Sequence, residues 1–280
     1  MKRVYTVLPL IIAVIFISCK GKSEITDQQK IKIAVTILPY SGIVKEIGGD
    51  KVDVTVLVPP NSACETYEPT PVDIAKAAQS EIYFSVGANY AFEKNLVKSI
   101  TENYKNVTVI DCSNGLEVKE NNPHLWLYPA GLKKIAENIF NSLKKAKPAF
   151  EDYFTKNKER YFRQIDSVDA VVKNNLAQVK QKKILVFHPS WLYYSGYYNL
   201  EQIAIENEGK EPTALDLKNV IDLAKKYKIT TLFLEPNTAP ESAQAIKEEL
   251  KGISVLLNPM EGDILKNLIY VSEKISGKTK

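Results

Sequence analysis

The chain has 280 residues, 45% of them apolar and 25% charged, which excludes an intrinsically disordered protein and leaves enough length for two hydrophobic cores. The formal net charge is +4, with Lys and Arg dispersed among Asp and Glu. Because this pattern gives no concentrated basic face, it argues against nucleic acid as a partner.

The N-terminus has the pattern of an export signal. A short basic head precedes the apolar run Val4–Ile17, which is too short to span a bilayer. Cys19 follows a small residue, as in a bacterial lipobox, although Phe16 stands where leucine is usual. We therefore predict a lipoprotein-type signal over 1–19 with Cys19 as the lipidation site, and a polar tether over 20–30. A cleaved signal with an incidental cysteine is the alternative, and either signal places the mature protein outside the cytoplasm.

Residues 31–130 are predicted to form an N-terminal α/β lobe. Segments rich in β-branched residues predict strands, and segments with helical periodicity separate them. The strand segments are KIAVTIL, KVDVTVLVP, EIYFSVG and NVTVIDC. The helical segments are Tyr40–Ile47, PVDIAKAAQS with a proline in its first turn, and Phe92–Ile100. This alternation predicts a mostly parallel sheet with helices on both faces.

Residues 131–180 are predicted to form a helical connector that is interrupted near Pro148. In its second part, apolar residues recur at spacings of three and four, which places them on one helical face. These are residues 154, 161, 165, 168, 172, 176 and 179. A helix over 151–180 would be about 45 Å long at 1.5 Å per residue. We expect so stiff a connection to permit only a small closure between the lobes.

Residues 181–280 are predicted to form a C-terminal α/β lobe with the same alternation. The strand segments are KKILVFHPS, NLEQIAIE, ITTLFLEP and ISVLLNP. Helices are predicted over Leu215–Tyr227, over Ser242–Leu250 and after Asp263. We detect no residue-level repeat between the halves, so the predicted similarity is architectural.

The chain has two histidines, and both are predicted to lie where a strand or a turn ends. His188 ends a predicted strand, and ligands of open α/β sheets bind outside the carboxyl ends of the strands. His124 follows the turn-forming Asn121-Asn122-Pro123. If the lobes face each other, both imidazoles can reach one cleft. A lone histidine is more often a satisfied core or surface residue than a ligand, so position alone does not decide between the two.

Besides Cys19, the chain contains Cys64 and Cys112. In an oxidising compartment these two cysteines are candidates for one disulfide, which the chain-entropy model values at about 4 kcal/mol. Two free thiols or thiolate ligands are the alternatives.

Four segments together resemble a known family. They occur in the family's order, over a range from about Ile31 to the C-terminus. The segments are PPNSACETYEPTPVDIAKAAQSEIYFSVG, NPHLWLYPAGLKKIAENI, the stretch from VFHPSWLYYSGYY to SAQAIKEEL, and LLNPMEGDILKNL. They resemble the metal-binding proteins of bacterial ABC importers for zinc and manganese, the ZnuA/TroA-like family. The resemblance implies two α/β lobes joined by one long rigid helix, with a single divalent cation in the cleft between them.

The resemblance also implies four metal ligands, which fall on Glu65, His124, His188 and Asn258. Two of these positions depart from the family's pattern, because histidine is usual at 65 and aspartate at 258. A carboxylate can replace an imidazole on zinc, manganese or ferrous iron, whereas an amide carbonyl is a weaker ligand. Together, the two departures preserve the formal charge of a site made of three histidines and one aspartate.

Three further acidic residues are candidates for the site. Glu261 or Asp263 can supply the carboxylate that Asn258 lacks. Glu235, at the end of a predicted strand, is expected to lie in the cleft as the partner of an imidazole, with direct ligation as the alternative.

We therefore expect a non-enzymatic solute-binding protein that captures a divalent transition metal and delivers it to an ABC permease. Two imidazoles favour zinc, and the oxygen donors leave manganese or iron as alternatives. The expected partners are the permease and, through the lipid anchor, the membrane. The chain is expected to be a monomer that is lipid-anchored to the cell envelope or periplasmic.

Two other functions are alternatives to metal transport. The first is a metal-dependent hydrolase with Glu65 as general base, although no His-Glu-x-x-His or Gly-x-Ser-x-Gly motif supports it. The second is a surface adhesin built on the same scaffold, for which no segment of the sequence marks a protein-binding patch.

Overall fold

The computed structural model describes residues 30–59, 67–87, 90–206, 212–236 and 241–278. The predicted signal over 1–19 with Cys19, the tether except Lys30, and both Cys64 and Glu65 lie outside these ranges. Within them, every helix is too short or too polar to cross a bilayer.

In the described part of the N-terminal lobe, four parallel strands form a sheet in the order β2-β1-β3-β4. The strands are β1 (Ile31–Val35), β2 (Val52–Val56), β3 (Ile82–Ser85) and β4 (Thr108–Asp111). Helices α1 (Leu38–Gly48), α2 (Pro71–Ala78) and α3 (Ala91–Asn103) connect them. Strand β3 is buried along its whole length, as a central strand covered on both faces must be.

The C-terminal lobe repeats this topology among its described residues, with a parallel sheet in the order β6-β5-β7-β8. The strands are β5 (Lys183–Val186), β6 (Glu201–Ala204), β7 (Thr231–Leu234) and β8 (Ile253–Leu256). Its helices are α6 (Leu192–Tyr197), α7 (Ala214–Lys226), α8 (Glu241–Glu249) and α9 (Ile264–Ser276). The predicted strands and the parallel sheets of both lobes are confirmed, whereas α6 was not predicted.

The connector consists of α4 (Pro129–Ala146) and α5 (Glu151–Leu176), separated by a 3-10 turn that begins at Pro148. Helix α5 ends at Leu176, four residues before the predicted end, because the chain then extends toward β5. With 26 residues it is about 39 Å long. The predicted apolar face is buried at residues 154, 161, 165, 168, 172 and 176. The domain boundaries at 130/131 and 180/181 stay predictions.

A short sequence repeat accompanies the repeated topology, contrary to the expectation that no residue-level repeat links the halves. The motif Glu-Pro-Thr-x-(Val/Leu)-Asp-(Ile/Leu) occurs at 68–74 and again at 211–217. Thr70 caps α2 and Thr213 caps α7, each in a reciprocal capping box with the aspartate three residues later. The loop from β2 to α2 and the loop from β6 to α7 therefore end in the same way.

The two lobes share apolar packing through the connector. One buried cluster runs from the β1–β3 sheet through α4 and α5 to the C-terminal lobe, where it includes Trp191 and Leu268. Polar contacts reinforce it at both ends of α5. Asn157 Nδ2 donates to the Ile47 carbonyl at 3.0 Å, and Asn175 Nδ2 donates to Ser272 Oγ at 2.8 Å. The lobes are thus held by a common core and by one long helix bonded to each.

Candidate metal centre

His124 lies where the N-terminal lobe meets the connector. It directly precedes the 3-10 turn Leu125–Leu127, whose apolar side chains are fully buried and anchor the turn in the core. His124 is itself only 2% exposed. Asn122 Oδ1 accepts a hydrogen bond from the His124 backbone N–H at 3.0 Å and lies 2.9 Å from the ring Nδ1. The sequence around His124 therefore fixes both its backbone and its ring.

His188 follows the carboxyl end of β5 in the other lobe and is 8% exposed. In the parallel ladder of β5 and β6, Val186 lies opposite Ala204, and the pairing continues as Glu206 N donates to the Phe187 carbonyl at 2.9 Å. His188 and Glu206 each lie two residues beyond this pair. Glu206 Oε1 is consequently 3.2 Å from His188 Nδ1.

The two imidazoles meet between the lobes. Their ring centroids are 5.5 Å apart and their planes are inclined at 68°. Two imidazoles on one tetrahedral zinc ion, with Zn–N bonds of about 2.0–2.1 Å, have centroids about 5 Å apart. The distance between His124 and His188 therefore suits two ligands of one cation.

In both rings, Nδ1 faces an oxygen acceptor. A hydrogen bond from Nδ1 to an oxygen acceptor places the ring proton on Nδ1, and the lone pair then lies on Nε2. The acceptors are Asn122 Oδ1 for His124 and Glu206 Oε1 for His188. Burial, followed by the neighbouring His188, holds the pKa of His124 well below its usual value. The His124 ring is therefore neutral at neutral pH, which is the form that binds metal.

Asn122 also joins the loops that carry the two histidines. Its Nδ2 donates to the carbonyl of Pro189 at 2.7 Å, directly after His188. Its own carbonyl accepts from Tyr193 Oη at 2.8 Å, and that hydroxyl oxygen accepts from Lys119 N at 2.9 Å. This network crosses from one lobe to the other and helps to fix the separation of the rings.

The loop that contains Asn258 is pinned beside the histidines. Trp126, whose ring lies 5.1 Å from that of His124, donates from Nε1 to the Pro259 carbonyl at 2.9 Å. Asn258 is half-buried, and its Oδ1 accepts from Met260 N at 3.0 Å. The amide oxygen of Asn258 therefore stabilises the turn of its own loop.

The same loop approaches the N-terminal lobe closely at Gly42 in α1. A Cβ atom at Gly42 would lie 2.6 Å from the Gly262 carbonyl oxygen, which is shorter than real Cβ contacts. Glycine at position 42 thus allows the two backbones to touch across the lobes.

The remaining acidic candidates differ in their surroundings. Glu235 is half-buried after β7 and accepts a hydrogen bond from the hydroxyl of Ser190, two residues beyond His188. Glu261 is exposed, and its Oε1 accepts from the next backbone N–H at 3.1 Å. Asp263 caps α9 by accepting from Lys266 N at 3.2 Å, and it forms an ion pair with Lys266 Nζ at 2.8 Å. Glu235 thus supports the His188 loop, while Asp263 stabilises a helix terminus.

Cys112 is fully buried, and its thiol is free within the described part of the chain. Burial raises the pKa of this thiol well above its ordinary value. The disulfide with Cys64 and the ligand role of Glu65 stay predictions, because Cys64 and Glu65 lie outside the described ranges.

Within the described ranges, no group of three or more His, Cys, Asp or Glu residues is placed so that it could hold a metal ion. The described part of the centre includes the two imidazoles together with Asn122 and Glu206.

Sequence reasoning missed Asn122 and Glu206. From the sequence, Asn122 reads only as part of a turn, and Glu206 only as part of a strand segment. The role of Glu206 can in principle be predicted from the sequence, because parallel pairing of KILV with EQIA places position 206 beside position 188. The bridge from Asn122 to Pro189 depends on how the lobes meet, for which the sequence carries no local signal.

Comparisons with known proteins show which family the chain resembles. The model of the ZnuA family, described as zinc-uptake complex component A, periplasmic, matches residues 33–272. The zinc-binding lipoprotein AdcA of Streptococcus pneumoniae (strain ATCC BAA-255 / R6) is 26% identical, over 93% of this chain and 56% of AdcA. The manganese ABC transporter substrate-binding lipoprotein PsaA of Streptococcus anginosus is 27% identical, over 89% of this chain and 87% of PsaA.

A solved structure extends the likeness to three dimensions. The crystal structure of ZnuA superposes with a TM-score of 0.84 at 34% identity, over 89% of this chain and 98% of that one. The present chain spans little more than half the length of AdcA and most of the length of PsaA.

Proposed function

The chain belongs to the ZnuA family of periplasmic zinc-uptake components, and from this premise we propose that it is an extracytoplasmic receptor for a divalent transition metal. In this proposal the receptor captures one cation in the cleft between its lobes and delivers it to an ABC permease. The observation that carries the proposal is the pair of buried imidazoles, one from each lobe, 5.5 Å apart. A cation held there by protein side chains suits capture, whereas a catalytic metal keeps a position for water or substrate.

The proposed ligands are Glu65, His124, His188 and Asn258. The two histidines supply the nitrogen donors, and Glu65 supplies the anionic oxygen. For Asn258 to bind, its Oδ1 must leave the hydrogen bond with Met260 N, so we rank it as the weakest of the four. Glu261 and Asp263 are the alternatives to Asn258. If Asp263 bound the cation, its side chain would no longer cap the N-terminus of α9.

Zinc is the proposed cargo, with manganese or iron as alternatives. Two imidazoles are the softer part of the set and favour zinc, and the carboxylate is compatible with all three metals. Relatives include both a zinc-binding lipoprotein and a manganese transporter lipoprotein, so similarity does not separate the metals.

The proposed setting is the outer face of a membrane. Cys19 would carry the lipid anchor, the tether over 20–30 would hold the receptor near its permease, and a single chain would be the working unit. One relative is a zinc-binding lipoprotein and another is a manganese ABC transporter substrate-binding lipoprotein, and this supports a receptor without catalytic activity. Neither the hydrolase nor the adhesin alternative gains support from a described feature.

Replacing both histidines tests the proposal. Metal-stripped wild-type protein should bind one zinc ion per chain in a competition titration. The His124→Ala/His188→Ala variant should lose this binding, because the remaining proposed ligands are a carboxylate and an amide. Glu201→Gln, which removes an exposed carboxylate from β6, is the matched control and should bind as the wild type does. Undiminished zinc binding by the double variant would show that the site lies elsewhere.

A further inference from the structure

Glu206 is a carboxylate that the structure places against the ring of His188, a candidate ligand. Its Oε1 lies 3.2 Å from His188 Nδ1, and its side chain is only 13% exposed. The contact follows from the register of β5 and β6, which puts both residues two positions beyond the paired Val186 and Ala204. It is therefore built into the sheet rather than formed by a free surface side chain.

The two histidines have different partners on Nδ1. His124 faces the neutral amide oxygen of Asn122, whereas His188 faces a carboxylate. A hydrogen bond to an ionised acceptor is roughly twice as strong as one to a neutral acceptor. His188 is therefore held more firmly than His124 in the tautomer with its proton on Nδ1.

The repeated topology points to the same loop in the other lobe. Glu206 begins the loop from β6 to α7, which ends at the Thr213 capping box. The corresponding loop from β2 to α2 ends at the Thr70 capping box and carries the proposed ligand Glu65. Each lobe thus has a glutamate in the equivalent loop of its sheet.

We propose that Glu206 is a positioning residue of the metal centre, which fixes the tautomer and orientation of His188 so that Nε2 binds the cation. This inference rests on the proposed function, because it assigns Glu206 to the same centre. Carboxylate partners of this kind typically contribute a factor of about 10–100 to metal affinity.

The tautomer can be measured without any metal. The chain has two histidines, so an untagged protein labelled with 15N-histidine gives two imidazole spin systems, and a His124→Gln variant assigns them. At a pH where the rings are neutral, His188 should carry its proton on Nδ1 in the wild type. Glu206→Ala should shift that proton toward Nε2. Glu206→Gln should keep it on Nδ1, because the amide oxygen still accepts a hydrogen bond.

Zinc affinity is the second measurement, by competition with a chelator. Glu206→Ala should bind zinc about 10–100-fold more weakly, and Glu206→Gln should be affected less. Glu201→Gln, on the same strand but paired with Lys183, should match the wild type in both measurements. Thermal unfolding of each metal-free variant verifies its fold, and Glu206→Gln, which keeps the side-chain volume, still tests the affinity if the alanine variant does not fold.

The outcomes separate this inference from the proposed function. A wild-type protein without zinc affinity overturns the proposed function. A wild type that binds zinc, with a Glu206→Ala variant unchanged in tautomer and affinity, overturns only the role of Glu206. A variant with weakened zinc binding but an unchanged tautomer also overturns it, because Glu206 would then act on the ion directly.

Discussion

Among single residues, Glu93 is the clearest example of a group whose chemistry is set by burial. Its side chain in α3 is fully enclosed beneath the carboxyl ends of β1 and β3. Oε1 accepts from Val86 N at 2.7 Å and Oε2 from Gly87 N at 2.8 Å, while the Thr36 hydroxyl also donates to Oε1. Burial nevertheless outweighs these bonds and, with a smaller contribution from Asp111, raises the pKa of Glu93 from 4.5 to about 7.

The raised pKa of Glu93 predicts a specific pH dependence of stability. The folded protein binds this proton more tightly than the unfolded chain does, so the stabilising contribution is complete below about pH 4.5 and disappears as the pH rises to about 7. The shift corresponds to about 3 kcal/mol. Because glutamine does not titrate, a Glu93→Gln variant should gain about this much relative to wild type between pH 4.5 and pH 8.

Urea denaturation across this pH range provides the measurement. The absolute stability of Glu93→Gln also reflects a lost hydrogen bond, because its amide NH₂ would face a backbone N–H. The informative quantity is therefore how the difference in unfolding free energy between the variant and the wild type changes with pH. Glu102→Gln, at an exposed position of the same helix, is the control and should show a much smaller change. Parallel pH curves for wild type and Glu93→Gln would refute the assignment.

Among the elements, α5 is the one on which both lobes depend. Its buried face packs against α1, α4 and α9, and Ile165 lies fully buried on that face. Val171 lies in the same helix but is 40% exposed. Position on the helix, rather than residue type, should therefore decide the effect of shortening these two β-branched side chains.

We predict that Ile165→Ala lowers the free energy of unfolding by about 2–5 kcal/mol, because it leaves a cavity in the shared core. Val171→Ala should change it by no more than about 0.5 kcal/mol. Equilibrium denaturation followed by circular dichroism measures both. Since one apolar cluster joins the lobes, Ile165→Ala should still unfold in a single transition, and separate transitions for the lobes would contradict this account.

At the level of elements, the sequence was sufficient where a pattern is local. The strands were predictable from β-branched runs between turns, and the apolar face of α5 from its spacing. Helix α6 was not, because Leu192–Tyr197 has six residues, contains Gly196 and is rich in tyrosine, none of which favours a helix. Buried packing of Tyr193 and Tyr194 stabilises it instead.

The candidate site divides in the same way. Short motifs and the ends of predicted elements are enough to predict His124 and His188 as site residues. Glu206 required a strand register, and the bridge from Asn122 to Pro189 required the relative placement of two lobes. Both arise from contacts between residues distant in the sequence, which local patterns do not encode.

For the whole molecule, the contact of Gly42 with Gly262 limits how the lobes can sit against each other. Gly42→Ala would place a methyl group 2.6 Å from the Gly262 carbonyl, so α1 or the loop carrying Asn258 must move. We expect a loss of about 1–3 kcal/mol in stability from this overpacking. We also expect weaker zinc binding, because Trp126 ties the same loop to the surroundings of His124.

Gly196→Ala is the matched control, since it makes the same change in a helix where nothing lies within 4 Å of the added atom. Both variants gain the helix propensity of alanine, so their difference isolates the clash. Denaturation and zinc titration of the two proteins measure it. Equal stability and equal affinity would mean that the backbones can separate without consequence for the centre.

The apolar cluster shared by both lobes limits how a cation bound between them can be released. Rotating the lobes apart would expose packed hydrophobic surface, which costs about 25 cal/mol of free energy per Å². Release of a cation bound between the lobes should therefore require only the loops after the strand ends to rearrange, while the two sheets and the connector helices stay in place. Under the proposed function, a permease that docks on the receptor would act on these loops and would not need to open a hinge between the lobes.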